Sequence, residues 1–300
     1  MLGSVAARMT RGAWDTALAY FRLTKPRIIV LLLITTIPAM ILAAGGWPSP
    51  WLVLATVAGG AIAAGGANAM NCYFDRDIDG MMLRTRGRPV PAGQIEPENA
   101  AVFGILLGGA GFLILEAFAN LLAAFLTLGA FAFYVVVYTL LLKRTTPLNI
   151  VIGGAAGAMP PVVGWAAVTG EVALPALVLF GIIAFWTPPH FWALSLNFSS
   201  DYERAHVPML PLVVGQEETK RQIVLHSLAL VAVSLLLPAT GATGAIYLGA
   251  ALVLGGLFVW YAFRLWRETS AGASAALFRY SILYLALLFV AVAVDGLAGV

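Results

Sequence analysis

The stretch NCYFDRDIDGMMLRTRGRPVPAG (71–93) packs three aspartates and four arginines into 23 residues. Asn71, Asp75 and Asp79 stand at i, i+4 and i+8, so on a continuing helix they project in one column, with Asp77 roughly opposite. One amide and two carboxylates in a column form a platform for a hard cation such as Mg²⁺, which takes oxygen ligands and commonly keeps waters and phosphate oxygens. Arg84, Arg86 and Arg88 follow at once, and guanidinium forks grip phosphate oxygens in pairs. Acids and arginines together read as a metal–diphosphate site. Either set alone fits a solvated loop network or a row of membrane-surface anchors equally well.

A second polar stretch, FSSDYERAHVPMLPLVVGQEETKRQ (198–222), offers Asp201 as a further metal ligand across a shared cavity. Tyr202 is a candidate hydrogen-bond donor to phosphate, Arg204 a candidate partner, and Lys220 or Arg221 a candidate closing cation. The plainer reading makes VPMLP a rigid turn and Glu217, Glu218, Lys220 and Arg221 a solvated helix start. Lys143 and Arg144 lie at a water boundary, as diphosphate partners or as snorkelling anchors. His190, between TPP and FW in an apolar run, is an ionisable group at membrane depth and hence a functional candidate. It could meet an iron or a substrate carboxylate, or bond a helix backbone. Trp186 and Trp192 could line the same cavity, and the two prolines are expected to break the helix that carries them.

The elements that position these residues follow from composition. The chain is 61% hydrophobic and only 10% charged, with a mean hydropathy of +0.92. Apolar runs near 20 residues recur throughout, matching the roughly 30 Å hydrocarbon core of a bilayer. Nine spans are expected, at about 27–44, 51–73, 99–118, 120–142, 149–168, 174–198, 222–240, 243–263 and 278–297. The fold class is therefore an all-α polytopic membrane protein, in which abundant glycine and alanine allow close helix packing. All 17 lysines and arginines fall in or beside 1–26, 74–98, 143–148, 199–221 and 264–277, and the opposite loops hold none. By the positive-inside rule the N-terminus is cytoplasmic and the C-terminus outside. Residues 1–26, with Arg8, Arg11 and Trp14, are expected to form an interfacial segment before the transmembrane domain 27–300. Loops 74–98 and 199–221 each follow an even-numbered span and hold 9 of the 14 carboxylates, a hint of internal repetition. Cys72, the one cysteine, excludes an internal disulfide. No nucleic-acid partner is expected. A secondary transporter is a competing class, but it would place its acids near the midplane rather than at one boundary.

NCYFDRDID with the following MLRTRGRPVPAG resembles the first signature of the UbiA superfamily of intramembrane prenyltransferases. YTLLLKRTTPLNIVIGGAAGAMPPVVGW (138–165), FWTPPHFWAL (185–194) and DYERAHVPMLP (201–211) resemble its haem-farnesylating branch, over about residues 20–290. The resemblance implies nine helices around a central cavity capped by the inner loops of a bacterial inner-membrane protein. It implies Mg²⁺ as cofactor and transfer of farnesyl from farnesyl diphosphate to a vinyl group of haem B, giving haem O for terminal oxidases. Haem A synthase or oxidase assembly factors would stand downstream as partners. A UbiA-type transferase acting on an aromatic acid or quinone precursor is the alternative. The acidic residues of the family map onto Asn71, Asp75, Asp79 and Asp201, and its basic diphosphate partners onto Arg84, Arg88, Lys143 and Arg144. Most members carry a second acid four residues after the last aspartate, where this chain has Ala205.

Overall fold

Every regular element among the described residues is helical. The computed structural model describes residues 12–268 and 270–299, the side chains at 27–28 and 31–33 excepted. Arg8 and Arg11 thus lie outside the described residues. A short helix α1 (Ala13–Leu23) turns at Thr24 and Lys25 into α2 (Pro26–Ala44). Then come α3 (Pro50–Phe74), the six-residue α4 (Arg76–Met81) and α5 (Pro97–Phe118). Next is α6 (Leu121–Ala132), which continues as a π-helix over Phe133–Leu142. Helices α7 (Asn149–Ala158) and α8 (Pro160–Thr169) share one span, and α9 (Leu174–Asn197) follows. Two short helices, α10 (Ser199–Arg204) and α11 (Leu210–Val213), precede α12 (Gly215–Ser234), α13 (Ala245–Arg267) and α14 (Ala271–Ala298). Helices α2, α3, α5, α8 and α9 each carry proline in the first turn, where its missing N–H has no intrahelical role and its fixed φ suits the helix.

Among the described residues eight segments are long and apolar enough to cross a bilayer, with α7–α8 counted as one. The first expected span is α2, apolar over Ile34–Ala44. Consecutive spans pack side by side from α2 through α14, and α14 returns to pack against α2, closing a ring. The chain is an integral membrane protein. Both acidic stretches fold alike at their start, each opening with a six-residue helix directly after a long span.

The expected break at Pro188 and Pro189 is absent. Pro188 and Pro189 do not break their helix, because α9 runs unbroken from Leu174 to Asn197. Thr187 Oγ1 donates to the Ile183 carbonyl at 2.8 Å, a side-chain tie in the turn just before the prolines. The interruption falls instead at Met159, between α7 and α8, where Pro160 starts a new helix.

The tightest pairing is α3 on α5. A Cβ built on Gly66 would lie 2.6 Å from the Gly104 carbonyl oxygen, and one on Gly111 would lie 2.6 Å from that of Gly59. Only glycine lets the two backbones approach so closely, the small-residue packing that substitutes for a hydrophobic drive in lipid. Since α3 ends in the acidic column, this contact sets where the column stands. Gly111→Leu is expected to destabilise the detergent-solubilised protein by about 1–3 kcal/mol through overpacking. Gly109→Leu, whose Cβ meets nothing within 4 Å, should change the stability by no more than about 0.5 kcal/mol. Thermal unfolding of the two variants side by side checks this.

Candidate active site at the acidic helix ends

Asp75 marks the junction of α3 and α4. Its N–H donates to the Asn71 carbonyl at 2.9 Å and its own carbonyl accepts from Asp79 N–H at 2.7 Å, so the helical ladder runs through the junction. The expected column therefore holds. Asn71, Asp75 and Asp79 are 3%, 0% and 1% exposed, whereas the Asp77 side chain, on the other side, is 57% exposed.

Buried carboxylates need partners, since an isolated charge removed from water is very costly. Asp75 Oδ2 accepts from Asn71 Nδ2 at 2.6 Å and pairs with Lys143 Nζ. Asp79 receives Arg88 Nη1 on both oxygens, at 2.9 and 2.7 Å, and its carbonyl accepts from Thr85 Oγ1 at 2.9 Å. Arg144 lays a fork on Asp77 at 2.6 and 2.7 Å and stands 3.8 Å from Asp75 Oδ1. That fork holds the Asp77 carboxyl down at about 2, against the opposing effect of burial.

Lys143 is delivered by the π-helix, its N–H donating to the Tyr138 carbonyl at 2.9 Å across five residues. Three successive β-branched residues, Val135–Val137, weaken the α register here, and wide turns of this kind recur at functional sites. Thr139 Oγ1 donates to the Tyr134 carbonyl at 2.9 Å and accepts from Asn71 Nδ2 at 3.1 Å, tying the wide turn to the acidic column. Tyr134 and Tyr138 stack with centroids 5.3 Å apart.

The second acidic loop closes onto the first through Asp201. Its two carboxylate oxygens accept the N–H groups of Leu83 and Arg84, each at 3.2 Å, with Arg204 Nη1 3.5 Å away. Arg84 Nη2 reaches the Tyr202 hydroxyl at 3.3 Å. Beneath the junction, Ile78, Met82, Ile150, Tyr202 and Met209 form an apolar floor, with Tyr138 and Phe191 packed against it.

The structure thus gathers Asn71, Asp75, Asp79, Asp201, Arg84, Arg88, Lys143, Arg144 and Tyr202 into one polar assembly. Lys220 is placed on α12, where its Nζ pairs with Glu217 at 2.6 Å within the helix start. Trp192 is buried in the core, edge-on to His226 with centroids 4.9 Å apart. Trp186 and His190 stack on each other at 4.1 Å where α9 faces α14. Sequence reasoning missed Lys25. It adopts a left-handed conformation with φ 52° just before Pro26, and its Nζ donates to Asn71 Oδ1 at 2.8 Å. Burial pushes its ammonium down to about 8. The one available signal was a lysine directly before the proline that opens the first span.

Whether these residues suit a hard cation can be judged from the donors present. Among the described residues no three carboxylate, histidine or cysteine side chains converge closely enough to hold a metal by themselves. The oxygen donors Asp75, Asp79, Asp201 and Asn71 are nevertheless of the right class, and Asp75 Oδ1 is buried without a hydrogen-bond partner. Such a set fits Mg²⁺, which is usually held by one or two carboxylates together with substrate phosphate oxygens.

The UbiA prenyltransferase family matches residues 32–291. A protoheme IX farnesyltransferase from Gloeobacter violaceus is 56% identical over 279 residues, covering 93% of this chain and 92% of the relative. A solved digeranylgeranylglyceryl phosphate synthase superposes with a TM-score of 0.78 at 18% identity, over 95% of this chain and 99% of that one. A UbiA homologue from Archaeoglobus fulgidus bound to GPP and Mg²⁺ superposes with a TM-score of 0.60 at 17% identity, over 91% and 99%. At such identities the two structures speak for the fold, while the family match runs through both acidic loops and nearly all the spans. The chain belongs to the UbiA prenyltransferase family.

Proposed function

We propose that this protein transfers a farnesyl group from farnesyl diphosphate to a vinyl group of haem B with addition of water, giving haem O. The observation that carries the reading is the joining of the two acidic loops, in which Asp201 accepts from Leu83 and Arg84 N–H while Arg84, Arg88, Lys143 and Arg144 surround the aspartates. The 56% identity to a protoheme IX farnesyltransferase supports the acceptor, and a UbiA fold bound to GPP and Mg²⁺ supports the donor class and the cation.

Asp75, Asp79 and Asp201, with Asn71 assisting, would hold Mg²⁺. When bound, the ion neutralises diphosphate oxygens and so stabilises the charge of the leaving group. Lys143 and the forks of Arg84, Arg88 and Arg144 grip the diphosphate, and Tyr202 donates a hydrogen bond to it. As the allylic carbon–oxygen bond breaks, its electron pair leaves with the diphosphate, and these fixed cations stabilise the charge that builds there. The stacked faces of Tyr134 and Tyr138 shelter the allylic cation. The vinyl π electrons form the new carbon–carbon bond, and water captures the resulting cation, releasing a proton. No side chain serves as a nucleophile.

We also place the protein in the bacterial inner membrane, with residues 1–26 as a cytoplasmic interfacial segment and 27–300 as the catalytic domain. The exposed face of α1, bearing Trp14, Leu18 and Phe21, suits a headgroup boundary. A cysteine introduced at Gly46, in an otherwise Cys72→Ser chain, is expected to react with an impermeant maleimide from outside intact spheroplasts. One at exposed Arg86 should react only after lysis, and the reverse pattern would overturn the orientation.

Purified protein in lipid with haem B, farnesyl diphosphate and Mg²⁺ should yield a pigment heavier by one farnesyl and one hydroxyl group, with the gain lost on chelation. A folded sample yielding none would redirect attention to aromatic acceptors. Asp75→Asn and Asp79→Asn are each expected to lower turnover by about 10²–10³-fold, the scale of losing one preorganised electrostatic partner, with the protein still folded. Asp77→Asn, removing an exposed pair, should stay within about fivefold of the parent. Full activity in both buried variants would overturn the site.

A further inference from the structure

His190 sits on α9, one residue before Phe191, whose ring packs against the apolar floor of the polar assembly. Its imidazole is clamped flat between Trp186, at 4.1 Å and 18°, and Phe278, at 4.7 Å and 26°. The Trp186 indole is itself pinned, its Nε1 donating to the Ser281 carbonyl at 2.7 Å. His190 Nδ1 lies 2.6 Å from Ser281 Oγ.

The proton inventory fixes the tautomer. A serine hydroxyl has one proton, and Ser281 Oγ donates it to the Phe278 carbonyl at 2.6 Å. Toward His190 that oxygen can only accept, so Nδ1 carries a hydrogen, and in the neutral imidazole the lone pair is then on Nε2. Nε2 makes no hydrogen bond among the described residues, and His190 is half-buried. A neutral imidazole with Nδ1–H held by a fixed acceptor and a bare, rigidly aimed Nε2 is the arrangement that binds transition metals. Two flat aromatic neighbours prevent the ring from turning away.

We propose that His190 Nε2 is an axial ligand to the iron of the porphyrin acceptor, and that Ser281 is the positioning residue that sets its tautomer and aim. The inference rests on the transferase reading, because that reading supplies an iron porphyrin. It adds how the acceptor is held, by a coordinate bond on α9 and apart from the diphosphate cations. Tethering the iron would fix the macrocycle in one position relative to the allylic carbon, the kind of orientation from which an enzyme draws much of its rate.

The test uses full-length protein in lipid, titrated with ferrous haem B without farnesyl diphosphate and followed by visible and resonance Raman spectra. The parent should show an iron–histidine stretching band. His190→Ala should lose the band, and added imidazole should restore it. Ser281→Ala should shift the band and weaken haem binding by roughly tenfold, as expected for loss of an outer-shell partner, while Ser281→Thr should restore both. A folded His190→Ala protein with an unchanged band overturns the ligation. So does farnesylated product from a parent protein that shows no histidine-dependent band, and in that case the transferase reading stands. A folded parent that neither binds haem nor makes product overturns both.

Discussion

Three aspartates removed from water at the edge of an apolar bundle must each find a cation or a set of N–H donors. Much of the local structure is the consequence. Asp75 requires Lys143, and Lys143 reaches it because the sixth helix widens into a π-helix. Asp79 requires Arg88, so the chain after α4 must fold back on itself within nine residues. Asp201 requires the backbone N–H groups of Leu83 and Arg84, so the second loop must close over the first. Breaking one buried pair by removing a single partner costs about 3–5 kcal/mol, comparable to much of a domain's net stability. The same pairings leave the cations at hand for a substrate that carries negative charge of its own, and they leave one oxygen of Asp75 unsatisfied.

What the sequence made legible divides by physical range. The column Asn71–Asp75–Asp79 and the opposed Asp77 could be read because helical periodicity is local, and α4 continues the ladder of α3. The spans could be read because a bilayer demands apolar length, and the described helices fall on the expected runs. Long-range hydrogen bonds were not legible. Nothing in DYERAH says that Asp201 will accept from backbone amides more than a hundred residues earlier. Lys25 was hidden for the same reason, since its role depends on the tertiary position of Asn71. The π-helix was hidden because propensity ranks residues for helix and says little about which helix they wind.

The two proline pairs show where a local rule meets its limit. In isolation MPP and TPP carry the same message of a lost donor and a steric clash. Met159 follows a glycine- and alanine-rich stretch of α7, and there Pro160 opens a new helix. Pro188 follows Thr187, whose hydroxyl returns to the backbone one turn below, and flanking tryptophans pack into the core. Tertiary packing decided between break and continuation, and a proline count could not.

That continuity has a consequence for chemistry. Adjacent residues on an α-helix differ by about 100° in direction, so an unbroken α9 presents Phe191 to the floor beneath the aspartates and His190 to α14 at a fixed angle. A break at the prolines would uncouple these two directions. With the helix intact, the wall of the polar assembly and the proposed iron-binding imidazole are parts of one rigid turn. α9 then continues to Asn197, whose Oδ1 accepts from Ser274 Oγ on α14 at 2.8 Å. Ser274 and Ser281 lie seven residues apart on α14, two turns of one face. The contact between α9 and α14 is therefore fixed by polar bonds at two heights, and the imidazole lies at the deeper one. A group that must hold a bulky acceptor in register with a departing diphosphate is best carried by such a doubly pinned helix pair, because a slip of one turn would move it by 5.4 Å.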